Sequence, residues 1–187
     1  KTKALPWYPG ETLNVGIGQG YFLATPMQLT LATASLANDG NTYTPHLLLG
    51  DKNNKTNEVS VYNYENNKFY TAMKDPHHLH IVKNAMWRVV NEKRVGTAYH
   101  LKKVKNIEYA GKTGTAQVYN LDKGKTGTKS LQDHALFISY APFESPEIVV
   151  TVVVENGGGG STTAAPIARD IIEYYMDKKP TSVSMHE

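Results

Sequence analysis

Ala135-Leu136-Phe137-Ile138-Ser139-Tyr140 and Ile148-Val149-Val150-Thr151-Val152-Val153-Val154 are two apolar runs joined by the short connection from Pro142 to Pro146. Runs of this length, rich in β-branched and aromatic residues and separated by turn formers, read as an antiparallel hairpin. The second run is apolar throughout, which predicts a central strand buried on both faces. Upstream, Ile107 to Val118 also has strand character, and a polar stretch over 119–133 separates it from the hairpin. Downstream, Gly157 to Gly160 reads as a flexible turn. Ser161 or Thr163 is then expected to cap a final helix with Ile167, Ile171, Ile172 and Tyr175 on its apolar face.

The first half has the helical period. Thr25-Pro26 reads as an N-cap followed by proline in the first turn. Leu29, Ala32 and Leu36 recur at helical spacing, broadened by Met27, Leu31 and Ala34, up to a stop at Asn38-Asp39-Gly40. Asp75-Pro76 opens a second helix with Leu79, Val82, Met86 and Val89 on one face, flanked by Ala85 and Val90, fading near Gly96. Residues 1–24 read as loop and short strand, and Tyr43 to Leu49 as a short extended run. The Asn- and Lys-rich segment 51–70 reads as a solvated insertion with a minor hairpin around Val59, Val61 and Phe69. Strands in succession followed by a terminal helix predict an α+β fold, an antiparallel sheet covered by helices. The folded unit is expected over 1–179, with 180–187 a disordered tail.

Composition narrows the function classes. The 187 residues are 40% hydrophobic and 20% charged, with a formal net charge of +3 and no cysteine. That excludes disulfides and thiolate metal sites, and a charge so small, without a basic block, argues against nucleic acid. The apolar runs are too short to span a bilayer. His77, His78 and His80 lie near Asp75 but lack a chelating spacing, so no metal is expected. Gly157-Gly158-Gly159-Gly160-Ser161-Thr162 lacks the lysine of a nucleotide-binding loop, and no cofactor is expected.

Two stretches read Gly-Lys-Thr-Gly-Thr, at 111–115 and 124–128. Lys-Thr-Gly is one signature of penicillin-binding proteins and serine β-lactamases. The first copy sits in a predicted strand between Ile107-Glu108-Tyr109-Ala110 and Ala116-Gln117-Val118. The second lies in polar sequence that fixes no backbone. A site that holds charge in place needs the rigid setting. Alternation places Thr113 and Thr115 on one face of the strand and Lys112 on the other. All three reach one ligand only if the strand is twisted and borders a groove.

Around that motif the sequence resembles the class B penicillin-binding proteins. Gly16-Ile17-Gly18-Gln19-Gly20, Ala24-Thr25-Pro26-Met27-Gln28-Leu29 and Ala37-Asn38-Asp39-Gly40 precede Ala110-Gly111-Lys112-Thr113-Gly114-Thr115-Ala116-Gln117. Ala135-Leu136-Phe137 through Ala141-Pro142 and Glu155-Asn156-Gly157-Gly158 follow it. Pro6-Trp7-Tyr8-Pro9-Gly10 narrows the resemblance to the penicillin-binding protein 2 group, the elongation transpeptidases. The resemblance implies the C-terminal portion of a penicillin-binding transpeptidase fold, shared with serine β-lactamases. It implies an acyl-enzyme chemistry on the D-Ala-D-Ala carbonyl of peptidoglycan stem peptides, mimicked by β-lactams. Lys112 would supply positive charge, the Thr115 backbone N–H an oxyanion-hole donor, and Thr113, Gly114 and Thr115 would bind the substrate. It also implies an inner-membrane anchor outside these residues and action on the periplasmic side. Its partners would be a lipid-linked glycan polymerase and an elongation scaffold.

The family's Ser-x-x-Lys and Ser-x-Asn motifs are absent. None of Ser35, Ser60, Ser130, Ser139, Ser145, Ser161, Ser182 and Ser184 has lysine three residues on or asparagine two residues on. Thr71-Ala72-Met73-Lys74 and Thr126-Gly127-Thr128-Lys129 have the spacing with the wrong nucleophile. A serine–lysine mechanism needs base and nucleophile within hydrogen-bond reach. The chain is therefore expected to be part of a longer protein, inactive alone and completed by an N-terminal part in the same or a separate chain. The alternatives are a non-catalytic folded module that binds a partner and, less in keeping with the Gly-Gln-Gly and Thr-Pro-Met-Gln segments, a serine β-lactamase.

Overall fold

The computed structural model describes residues 6–63, 68–71, 75–101, 103–104, 107–117 and 132–178. The second Gly-Lys-Thr-Gly-Thr and the expected tail lie outside the described residues. Helices α1 (Pro9–Gly16) and α2 (Pro26–Ala37) open the chain. Two short antiparallel ladders follow. They pair β1 (Asn41–Tyr43) with β4 (Lys68–Tyr70), and β2 (Gly50–Lys52) with β3 (Val59–Val61). After α3 (Pro76–Asn91) come β5 (Ala110–Ala116), β6 (His134–Ala141) and β7 (Ile148–Val154). A π-helical turn, Gly160–Ala164, leads into α4 (Ala165–Lys178).

The main sheet is antiparallel in the order β5-β6-β7. The expected hairpin forms, but the central strand is β6, not β7. Phe137, Ser139, Tyr140 and Ala141 of β6 are fully buried, whereas Val153 of β7 is 39% exposed. The all-apolar run of β7 reflects packing against helices on both faces, which gives the same pattern as a central strand. One face carries Phe137, Ala141, Val150 and Val152, covered by Ala164, Ala165, Ala168 and Ile172. The other carries Ala110, Tyr140, Ile138 and Val149, packed against Ala37, Met86 and Trp87.

The caps explain the helices. Thr25 and Gln28 form a reciprocal capping box at the start of α2, and the Asp75 carboxylate accepts from the His77 N–H at the start of α3. The buried faces differ from the apolar periodicity. In α2, Thr33, Ser35 and Ala37 are buried while Ala32 is exposed; in α4 the buried residues are Ala165, Ala168 and Ile172, with Ile167 and Ile171 over 40% exposed. Close contact between a helix and a sheet selects small side chains there. In α3 the expected face is rotated instead: Leu79, Met86 and Val90 turn inward and Val82 is exposed. Two further expectations are corrected. Residues 9–16 form a helix with proline in its first turn, and no side-chain hydroxyl caps the last helical segment. There Thr163 donates to the Gly157 carbonyl at 2.7 Å and Thr162 to that of Gly159 at 3.1 Å. The glycine turn is held by these bonds and by Gly158 N–H donating to Asp133 O at 2.8 Å.

Tyr109 and Tyr140 are buried with hydroxyls that have no hydrogen-bond partner among the described residues. Burial, the largest cause, pushes the Tyr109 phenol up to about 12, and burial beside Asp39 and Glu144 pushes Tyr140 up as well. In the unfolded chain tyrosine ionises near 10, so above about pH 10 the unfolded state gives up protons that the folded state keeps. The contribution of these two phenols to stability is therefore expected to be constant below about pH 10 and to fall as pH rises beyond it. Urea midpoints measured across pH 8–12 check this, and Tyr109→Phe is expected to flatten part of the decline without cost at neutral pH.

Candidate functional site

β5 is a sheet edge, and its register fixes which groups face outward. In the pairing Ala110↔Tyr140 through Ala116↔His134, alternate residues turn their backbone N–H and C=O toward β6 and away from it. Side-chain donors reach the carbonyls of Tyr109, Thr113 and Thr115, so the odd-numbered residues face outward. The Thr115 N–H therefore lies on the open edge beside its carbonyl.

The tension between Lys112 and the two threonines resolves at this edge. Lys112 starts from the face opposite Thr113, and its exposed side chain curls around so that Nζ donates to the Thr113 carbonyl at 2.6 Å. Its ammonium thus stands beside the strand, where the Thr113 and Thr115 backbone groups open. Thr113 is half-buried, with its hydroxyl 3.1 Å from that of Thr97; Thr115 is exposed. The edge offers an ammonium, two hydroxyls and outward N–H donors, a set suited to an anionic group.

Two glycines make the strand compatible with its surroundings. A Cβ on Gly111 would lie 2.4 Å from Phe137 Cζ, so the glycine makes room for a fully buried ring. At Gly114 the crowding comes from behind. Gly160 rests on the strand backbone, where its own Cβ would stand 2.4 Å from the carbonyl oxygens of both Gly114 and Leu136.

Three side chains that sequence reading assigned no role hold the edge from outside the sheet. Asn91 at the end of α3 donates to Trp87 O and Tyr109 O, both at 2.9 Å. Thr97 is delivered by a turn folded back on α3, in which Gly96 N–H donates to Glu92 O and Ala98 N–H to Val89 O. Gln19 Nε2 donates to Thr115 O at 3.0 Å. These residues stand 18, 16 and 96 positions from their partners, and no local pattern signals such pairings. The glycines flanking Gln19 are the only hint, marking a sharply turned backbone.

Other candidates have structural roles. His134 begins β6 and its Nδ1 accepts from the Asn156 N–H at 2.9 Å. Ser35 accepts from Thr42 Oγ1 at 2.8 Å, and buried Ser139 donates to Val150 O at 3.1 Å. His78 lies 4.0 Å from Asp75 at the start of α3. Among the described residues no group of three His, Asp or Glu side chains is placed to hold a metal ion, and no helix is long and apolar enough to cross a membrane.

An antiparallel edge strand bearing Lys-Thr-Gly-Thr, backed by a C-terminal helix, is the arrangement of a penicillin-binding transpeptidase. The chain belongs to that family: the penicillin binding protein transpeptidase domain matches residues 2–173. Among curated relatives, the peptidoglycan D,D-transpeptidase MrdA of Haemophilus influenzae is 41% identical over 189 residues, covering 97% of this chain and 28% of the relative. Among solved structures, Pseudomonas aeruginosa PBP2 in complex with WCK 5153 has a TM-score of 0.72 at 37% identity, covering 92% of this chain and 34% of that one. The complex of PBP2 and MreC from Helicobacter pylori has a TM-score of 0.68 at 29% identity, covering 92% and 28%. The chain thus spans only 28% of the length of the H. influenzae relative.

Proposed function

We propose that this chain forms one wall of the acyl-transfer site of a serine-type peptidoglycan D,D-transpeptidase. The observation that carries the reading is the β5 edge, where Lys112 Nζ, the Thr113 hydroxyl and the Thr115 N–H open to one side of the sheet. In this reading the nucleophilic serine and its lysine come from a Ser-x-x-Lys segment beyond these residues. The serine oxygen attacks the penultimate D-Ala carbonyl of a stem peptide, terminal D-Ala leaves, and an amine of a second stem takes the acyl group. Thr115 N–H donates to the oxygen that becomes negative in the tetrahedral intermediate, where such a donor is worth about 10²–10³ in rate. The Thr113 and Thr115 hydroxyls bind the ligand carboxylate, Gly114 leaves space along the strand, and Lys112 supplies the fixed positive charge.

The same groups would accept β-lactams, whose carboxylate and strained carbonyl match the stem-peptide terminus. The whole protein acts outside the cytoplasm, on the periplasmic side of an inner membrane that its anchor reaches. It works with a lipid-linked glycan polymerase and with an elongation scaffold, for which the solved PBP2–MreC complex gives precedent.

Intact mass after incubation with a penicillin tests the reading. The 187-residue chain is expected to gain no adduct, and the full-length protein carrying Ser-x-x-Lys to gain one penicillin. An adduct on the short chain would place a nucleophile among its own serines. No adduct on the full-length protein would favour a non-catalytic, partner-binding module, and rapid turnover of a chromogenic cephalosporin would favour a β-lactamase.

A further inference from the structure

A cleft of about 220 Å³ opens beside the end of helix α3, lined by Ala85, Arg88, Val89, Val95, Gly96 and Thr97. One wall is the helix and the other is the turn that folds back on it. Gly96 seats that turn: its N–H donates to Glu92 O, and a Cβ there would stand 2.5 Å from both Arg88 O and Val89 O. Backbone contact thus holds the two walls in place. The walls are mostly apolar, and Arg88 adds a guanidinium. Glu92 accepts from the Arg88 Nε and from one terminal nitrogen. A guanidinium has five N–H donors, so it can serve a second carboxylate as well. Lys93 and Arg94, both exposed, lie in the turn between the two walls. From Arg88 to Lys105 the sequence holds six Lys and Arg residues against one acid, Glu92, so this face of the molecule favours anions.

The cleft adjoins the β5 edge through a single residue. Thr97 lines it, and the Thr97 hydroxyl lies 3.1 Å from that of Thr113. In the acyl-transfer reading, the Thr113 and Thr115 hydroxyls hold the carboxylate of the terminal D-Ala, where the donor stem ends. The donor therefore has nothing to place beyond Thr97. The second stem does. Terminal D-Ala departs as an amine, and the acceptor amine attacks the same acyl carbon. By microscopic reversibility it enters along the path by which the D-Ala amine left. It arrives on the side where D-Ala lay, which is the side of Thr113 and Thr97. A peptide with a carboxylate at its end matches an apolar cleft that carries an arginine and a basic rim.

We propose that the cleft between α3 and the turn 92–98 binds the acceptor stem peptide, with Arg88 taking its C-terminal carboxylate. The inference rests on the acyl-transfer reading above and gives its second substrate a place. The acceptor amine attacks the acyl-enzyme ester. The new C–N bond forms as the bond from carbon to the serine oxygen breaks, and a proton from the amine returns to that oxygen. An acceptor held in the cleft keeps its amine close to the ester and so competes with water for the acyl group.

The test uses the full-length protein carrying the Ser-x-x-Lys motif and a thioester analogue of an acyl-D-alanine as donor. The acceptor is a short stem peptide with a free side-chain amine and a C-terminal carboxylate, or the same peptide as its C-terminal amide. Transferred and hydrolysed donor are separated, so the partition of the acyl-enzyme is read directly. Arg88→Ala is expected to raise the acceptor concentration that splits the acyl group equally about 3–10-fold, the effect of one solvent-exposed charge-assisted contact. Val95→Asp, at a residue 60% exposed, sets a negative charge in the cleft and is expected to raise it at least as much. With the amide the parent protein should itself need more acceptor, and Arg88→Ala should then change the partition less than about twofold. A purely structural role would slow acylation and transfer together and leave the partition alone. Parent-like partition in both variants, or an Arg88→Ala loss as large with the amide as with the acid, would overturn the proposal while leaving the acyl-transfer reading intact. So would a parent protein that is acylated yet yields only hydrolysis at every acceptor concentration. Failure of the parent protein to be acylated by a penicillin would withdraw both.

Discussion

Lys112→Ala in the full-length protein is expected to lower the second-order rate of acylation by penicillin about 10²–10³-fold, the scale for removing a fixed electrostatic contact to a developing negative charge. Melting temperature should hardly move. Lys112 is exposed, and among the described residues its Nζ bonds only the neighbouring Thr113 carbonyl, at 2.6 Å, so little packing is lost with it. Lys112→Arg should restore part of the rate, since the charge returns on a bulkier, planar group that fits the curled path less well. Stopped-flow acylation kinetics over a range of salt concentrations would check this. An alanine variant within about twofold of the parent would remove Lys112 from the site.

Gly160→Ala is expected to destabilise the fold by about 2–4 kcal/mol, toward the upper end for a single small-to-large change. The new Cβ would stand 2.4 Å from two carbonyl oxygens, Gly114 O and Leu136 O, and 3.0 Å from Gly114 N. Backbone cannot swing aside as a side-chain tip can, so either the π-helical turn lifts off the sheet or β5 and β6 shift. Urea unfolding of the chain should show a lower midpoint with an unchanged slope. Because the displaced atoms belong to Gly114, the full-length variant should also acylate more slowly at temperatures where it remains folded. Gly159→Ala makes a useful contrast. Its Cβ would meet the Thr162 hydroxyl at 2.9 Å, a side-chain oxygen that can rotate away, so a smaller loss is expected there.

The extent to which these features were legible follows the range of the interactions that create them. Local interactions read well: the Thr25-Pro26 and Asp75-Pro76 helix starts, the β6–β7 hairpin, and the strand carrying the first Gly-Lys-Thr-Gly-Thr all formed as expected. In each case the signal is a cap, a turn or a period contained within a few residues. The misread faces of α2 and α4 show where that logic ends. Apolar periodicity marked Ile167 and Ile171, yet the sheet took Ala165, Ala168 and Ile172, because helix-to-sheet distance selected for size. For the same reason β7 read as central: apolar residues on both faces record helices above and below, and say nothing about which strands lie beside it.

The sequence by itself determined the class of fold, the Lys-Thr-Gly motif and its strand, the family resemblance and the absence of a Ser-x-x-Lys segment among these residues. Those properties reside in residue identity and short spacing. Only the tertiary structure decided how the motif becomes a site. It brought Lys112 around the strand to Thr113, set Gly160 against Gly114, and brought Gln19 and Thr97 to the outward face of β5. These contacts join residues far apart in the chain, or on opposite faces of one strand. They depend on the packing of helices against a twisted sheet, and no local propensity encodes them.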